Sequence, residues 1–187
     1  MLIQKPYNRA RAVEYAKTWA LSRNPLFYDF TGIGGNCTNF VSQCLLAGSC
    51  TMNYTPNVGW YYISPEDRAP AWSSVEFFYD FLTQKFTEQN GGVGPFATEV
   101  SREMADVGDV VQYANSSGDW YHTVIITGRE GNEILVSAQS NDALDRPISS
   151  YNFAQARFLH IEGVNFLLDD SSCYSILLRG GVGETEG

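Results

Sequence analysis

Between Asn8 and Ser22, apolar side chains recur at Ala12, Val13, Ala16, Trp19 and Ala20, the spacing of one continuous helix face. Asn8 stands before the run as a cap, and Asn24-Pro25 closes it. The glycines of "GIGG" force a tight turn, and a second helical period follows in "CTNFVSQCLLAG", residues 37–48. There Phe40, Val41, Cys44 and Leu45 share a face, and Gly48 is the stop signal. "SSVEFFYDFLTQKF", residues 73–86, predicts a third helix capped by Ser73 or Ser74. Residues 51–72 and 88–96 show no period and read as loops, the first rich in aromatic rings.

From about Glu103 the period falls to two. Residues 108–114, 120–130 and 132–140 predict three antiparallel strands joined by "SSGD" and "REGN". Residues 156–164 predict a fourth, and 174–180 are a candidate fifth. Along 120–130, Tyr121, Thr123 and Ile125 point one way, and His122, Val124 and Ile126 the other. Helices first and a sheet afterwards make an α+β fold, N-terminal helices packed on an antiparallel sheet. The length of 187 residues predicts one domain over 1–180, with a disordered tail over 181–187.

Composition narrows the function. A net charge of −9 argues against nucleic acid, whose phosphates call for clustered Lys and Arg. Residues 1–23 are locally basic, which reads as a solvated helix face. The four cysteines, Cys37, Cys44, Cys50 and Cys173, lack the paired spacing of a zinc site, and the thiols read as mostly free. No metal and no organic cofactor is expected. No stretch has the length of a signal peptide or a membrane span, so the chain as given reads as cytoplasmic, or as exported if a leader has been removed.

Candidate chemistry begins at Cys37. It stands in the first turn of its helix, where free backbone N–H groups and the macrodipole favour a thiolate. Packing as a small apolar residue is the competing account. A thiolate needs a base, and the chain holds two histidines. His122 opens a strand, on the row that can meet the helix tip; His160 reads as a half-buried structural imidazole. Gln139, Asn141 and Asp142, at the end of the neighbouring strand, are the candidates to orient the imidazole. Tyr28 and Asn36 are candidates for holding the oxyanion or the substrate, and Trp60, with Tyr61, Tyr62 and Trp72, for walling a groove.

The blocks "YDFTGIGGNCTNFVSQCLLAG", "MNYTPNVGWYYIS", "RAPAW", "GDVVQY", "YHTVIIT" and "NDALDRPISSY" together resemble the bacterial putative amidase domain family, over about Tyr7 to Gly163. That family is similar to the papain-like NlpC/P60 and CHAP amidase-peptidases of the cell wall. The resemblance implies a papain-like fold, with Cys37 as nucleophile and His122 as general base. It also suggests a tyrosine upstream of the nucleophile, here Tyr28, as oxyanion donor. Two positions depart from the pattern: Asn36 stands where the family commonly has Asp, and Gln139-Ser140 where it often has His-Thr. The expected activity is hydrolysis of a peptide amide, with a peptidoglycan-like substrate. The alternatives are a catalytically weak peptide- or glycan-binding module on the same fold, and an acyltransferase using the same dyad.

Overall fold

The computed structural model describes residues 2–168 and 172–181. The fold is α+β, with helices set against an antiparallel sheet. The strands are β1 (Ile3–Lys5), β2 (Gly94–Val100), β3 (Val110–Ala114), β4 (Trp120–Glu130), β5 (Glu133–Ala138), β6 (Ala143–Pro147) and β7 (Gln155–Phe166). They run in the order β1-β7-β3-β4-β5-β6, and β2 also pairs with β7. The helices are α1 (Arg9–Trp19), α2 (Cys37–Ser49), α3 (Pro70–Ser73), α4 (Val75–Leu82), α5 (Thr87–Asn90) and α6 (Cys173–Leu178). Among the described residues, no helix is long and apolar enough to cross a membrane.

The alternation read along 120–130 sorts the two faces of the sheet. Ile125, with Val110 and Leu159, packs under α1, α2 and α4, while Val124 and Ile126 join Val111, Tyr113 and Phe158 on the other side. Asn8 caps α1, its Oδ1 accepting from the Arg11 N–H at 3.1 Å. Helix α2 is buried along its whole length. Its polar side chains are tolerated there because all but that of Ser49 are bonded. Ser42 donates to the Trp72 carbonyl and accepts from Trp60 Nε1, Gln43 accepts from the Tyr15 hydroxyl, and Asn39 accepts from Trp72 Nε1.

Several expectations are corrected. Residues 174–180 do not form a strand. Helix α6 covers most of that run instead, and its apolar side packs Leu177 into the helical side of the core. Two of the four thiols are not free: Cys50 and Cys173 form a disulfide across 123 residues of sequence, with Cα atoms 5.7 Å apart. Cys37 and Cys44 are free and buried. Gly48 does not stop α2, which runs on to Ser49 and ends at Cys50 in a left-handed conformation, φ +47°. Gly48 is required for another reason. A Cβ there would sit 2.5 Å from the Tyr7 ring, where the carbonyl of Gly48 accepts the Asn8 N–H. Strand β2 arises in the stretch 88–96 read as a loop and runs on to Val100; β6 was also missed. Of the tail expected over 181–187, residues 182–187 lie outside the described residues.

Candidate active site

Gly34 and Gly35 carry the chain into α2 with φ of +85° and +98°, a backbone path that only glycine follows without strain. The turn delivers Cys37 to the first position of α2. Asn36 stands at the cap position, yet its side chain makes no cap bond. Its Oδ1 instead accepts from the N–H of Phe30 at 3.0 Å and from Asn39 Nδ2 at 2.7 Å, tying the incoming loop together. The first-turn amides of α2 are therefore left without that side chain, and the unscreened helix end favours negative charge beside Cys37.

His122 is the third residue of β4 and half-buried. Thr38, which follows Cys37, and Thr123, which follows His122, share a hydrogen bond of 2.9 Å between their hydroxyls. Thr123 also accepts from Gln112 Nε2 at 3.1 Å. The helix tip is thus pinned to the sheet one residue beyond each candidate group. Cys37 and His122 both open into one cavity of about 300 Å³. Gly34, Gly35, Asn141, Arg146 and Tyr151 also line that cavity. A larger depression, about 690 Å³, runs along α1 past Arg9, Val13 and Lys17, with neither a thiol nor an imidazole in its wall.

The imidazole is held by aromatic packing. The rings of Tyr113, Tyr151 and Tyr121 lie 5.8, 6.2 and 6.4 Å from it, centre to centre. No side chain of the described residues hydrogen-bonds its nitrogens. Burial, and next the positive charge of Arg146, hold its pKa down at about 4. His122 is therefore a neutral imidazole at neutral pH, in the form that can accept a proton.

Gln139 does not orient His122. Its Oε1 accepts from Asn36 Nδ2 at 2.6 Å, and its Nε2 donates to the carbonyls of Trp19 and Ser22, both at 2.8 Å. It positions the loop before Cys37 and the end of α1. The neighbouring Ser140 hydroxyl accepts from the Asn36 N–H at 2.5 Å. The two positions that depart from the family pattern, Asn36 and Gln139, are therefore hydrogen-bonding partners. The pair is two neutral amides.

Asp142 forms a two-point ion pair with Arg23, at 2.9 and 3.0 Å, and is not spent on the imidazole. Asn141 does line the cavity, in a left-handed turn with φ +62°. Tyr28 lies outside the cavity wall, its ring exposed against Phe30, while its carbonyl accepts from Asn39 Nδ2. Trp60 does not face a groove. It is fully buried, stacked near Trp72 and Phe81, because its indole N–H finds Ser42 inside the core. His160 is tied to buried Asp109 at 2.8 Å, in a cluster with Arg9. Tyr121, Arg146 and Tyr151, which the sequence does not single out as site residues, also line the cavity; they lie in "YHTVIIT" and "NDALDRPISSY". Among the described residues, no group of three His, Cys, Asp or Glu is placed to hold a metal ion.

Residues 6–161 match the family described as "Putative amidase domain", and the chain belongs to that family. It is 32% identical over 141 residues to a Bacillus subtilis (strain 168) protein named "Uncharacterized protein YhbB". It is 27% identical over 151 residues to "Uncharacterized protein YjcM" of the same organism. These matches cover 73% and 76% of this chain, which spans 42% and 33% of the two relatives. No solved structure matches the chain.

Proposed function

We propose that this protein is a cysteine-dependent amide hydrolase with a papain-like arrangement of nucleophile and base. One observation carries the reading: the thiol at the tip of α2 and the imidazole opening β4 face one cavity, and the residues beside them are bonded at 2.9 Å. His122, neutral, takes the proton of the Cys37 thiol, and the thiolate adds to the carbonyl carbon of the amide. The oxyanion is held by the Cys37 N–H and the field of the uncapped helix end. The C–N bond breaks as the imidazolium gives its proton to the departing amine. Water, deprotonated by His122, then attacks the thioester, releasing the acid and restoring the thiol. Membership of an amidase family supports the reaction class. A peptide amide of cell-wall type is the substrate proposed, by analogy with the relatives of that family. The Cys50–Cys173 disulfide supports action in an oxidising compartment.

Cys37→Ala should abolish amine release from purified peptidoglycan and its stem peptides while leaving the melting temperature nearly unchanged. Retained turnover would refute the mechanism. That no side chain among the described residues hydrogen-bonds His122 favours a second reading, a binding module of weak or no activity. In that case Cys37 would react with iodoacetamide below pH 8 no faster than an ordinary thiol.

A further inference from the structure

The cavity beside Cys37 contains a cation. Arg146, on β6, lines its wall, and none of the other lining residues carries a carboxylate. The guanidinium is fixed in place: Nε donates to the Ser150 hydroxyl at 2.8 Å and Nη2 to the Ser150 carbonyl at 3.0 Å. Its plane lies over the Tyr151 ring, 3.8 Å from the centroid. These two bonds use two of its five N–H groups.

Three arginines of this acidic chain are met by carboxylates, whereas Arg68 and Arg129, like Arg146, bond to hydroxyl or carbonyl oxygens but lie outside the cavity of Cys37. Arg9 pairs with Asp109, Arg23 with Asp142 and Asp29, and Arg157 approaches Glu76. No carboxylate among the described residues pairs with Arg146. A preorganised, half-buried guanidinium with N–H groups to spare is the standard partner of a planar carboxylate.

We infer that Arg146 is a specificity residue that seats a carboxylate of the substrate beside the amide attacked by Cys37. The assignment rests on the hydrolase reading above. It makes the substrate class narrower: a peptide bearing a free carboxylate within one or two residues of the bond cut. It also links binding to chemistry. Arg146 is the charge that, after burial, disfavours the imidazolium form of His122. A carboxylate seated on it offsets that charge at the moment His122 must accept a proton, so the matched substrate favours its own turnover.

The test compares alkylation of Cys37 by iodoacetate, which carries a carboxylate, with alkylation by neutral iodoacetamide, mapped by mass spectrometry. Taking the ratio of the two rates cancels any change in the thiolate population. The expected ratio is at least about tenfold higher in wild type than in Arg146→Gln, the value of one charged hydrogen bond. Arg146→Lys, which keeps the charge but not the fork, should restore part of it. Rising salt should erode the wild-type preference.

Protection of Cys37 from iodoacetamide by N-acetylalanine, against N-acetylglutamic α-amide, distinguishes a terminal carboxylate from a side-chain one. Protection by either acid that disappears in Arg146→Gln supports the assignment. Brisk alkylation by both reagents with the same ratio in wild type and Arg146→Gln would overturn the role of Arg146 and leave the hydrolase reading standing. Failure of Cys37 to react with either reagent would overturn both.

Discussion

Acidification should destabilise this protein through His122 by an amount the structure sets. The unfolded chain takes up the imidazole proton near pH 6.5, whereas the folded protein resists it until about pH 4. Between those values the unfolded state binds more protons, so stability falls as the pH is lowered through that window. At pH 5 the linkage amounts to about 2 kcal/mol relative to pH 7. The groups around the ring are the three tyrosines and Arg146, and Cys37 shares its cavity. Urea melts at pH 7 and pH 5, on wild type and His122→Gln, separate this contribution from every other titrating group. The variant should lose less stability on acidification, by about 2 kcal/mol. Equal losses would refute the buried, neutral imidazole. Activity offers a parallel reading. The acid limb of kcat/KM should fall near pH 4, because only the neutral ring accepts the thiol proton.

Gln139→Leu should cost about 3 kcal/mol in urea unfolding, because it strands the Asn36 amide and two carbonyls inside the protein. Its kcat should fall while the acid limb stays in place; a shifted limb would show that Gln139 does act on the imidazole. Replacing both Cys50 and Cys173 by Ser opens a loop of 123 residues, for which chain entropy predicts a loss of up to about 5 kcal/mol. The melting temperature should drop accordingly, and treatment of the wild type with a reducing agent should reproduce the drop.

The helices and strands that shape the site were legible because each has one strong period. Asn8 to Ser22 and residues 37–48 repeat at helical spacing, and residues 120–130 alternate between two buried faces. The short run at 174–180 misled because its apolar residues fit either geometry. Cys173, just before that run, pairs with a cysteine 123 residues away, a closure no local pattern announces. Gln139 was expected at the correct end of its strand, but the strand brings it to the loop before Cys37, and a glutamine bonds whichever amide it meets. Trp60 sat among prolines and glycines, yet one buried serine hydroxyl was enough to draw its indole inward. Arg146 and Tyr151 were hidden for another reason. They reach the cavity from β6 and the turn that follows it, and β6 had no readable period.

Helix α2 carries a free thiol at its first position and hands the chain to the disulfide at its end. At the rise of an α-helix, Cys37 lies about 10 Å along the axis from Cys44 and about 20 Å from Cys50. Neither spacing lets sulfur reach sulfur without unwinding the helix. Attack of the Cys37 thiol on Cys50 is therefore closed off by geometry, and the nucleophile and the oxidised staple sit at opposite ends of one helix.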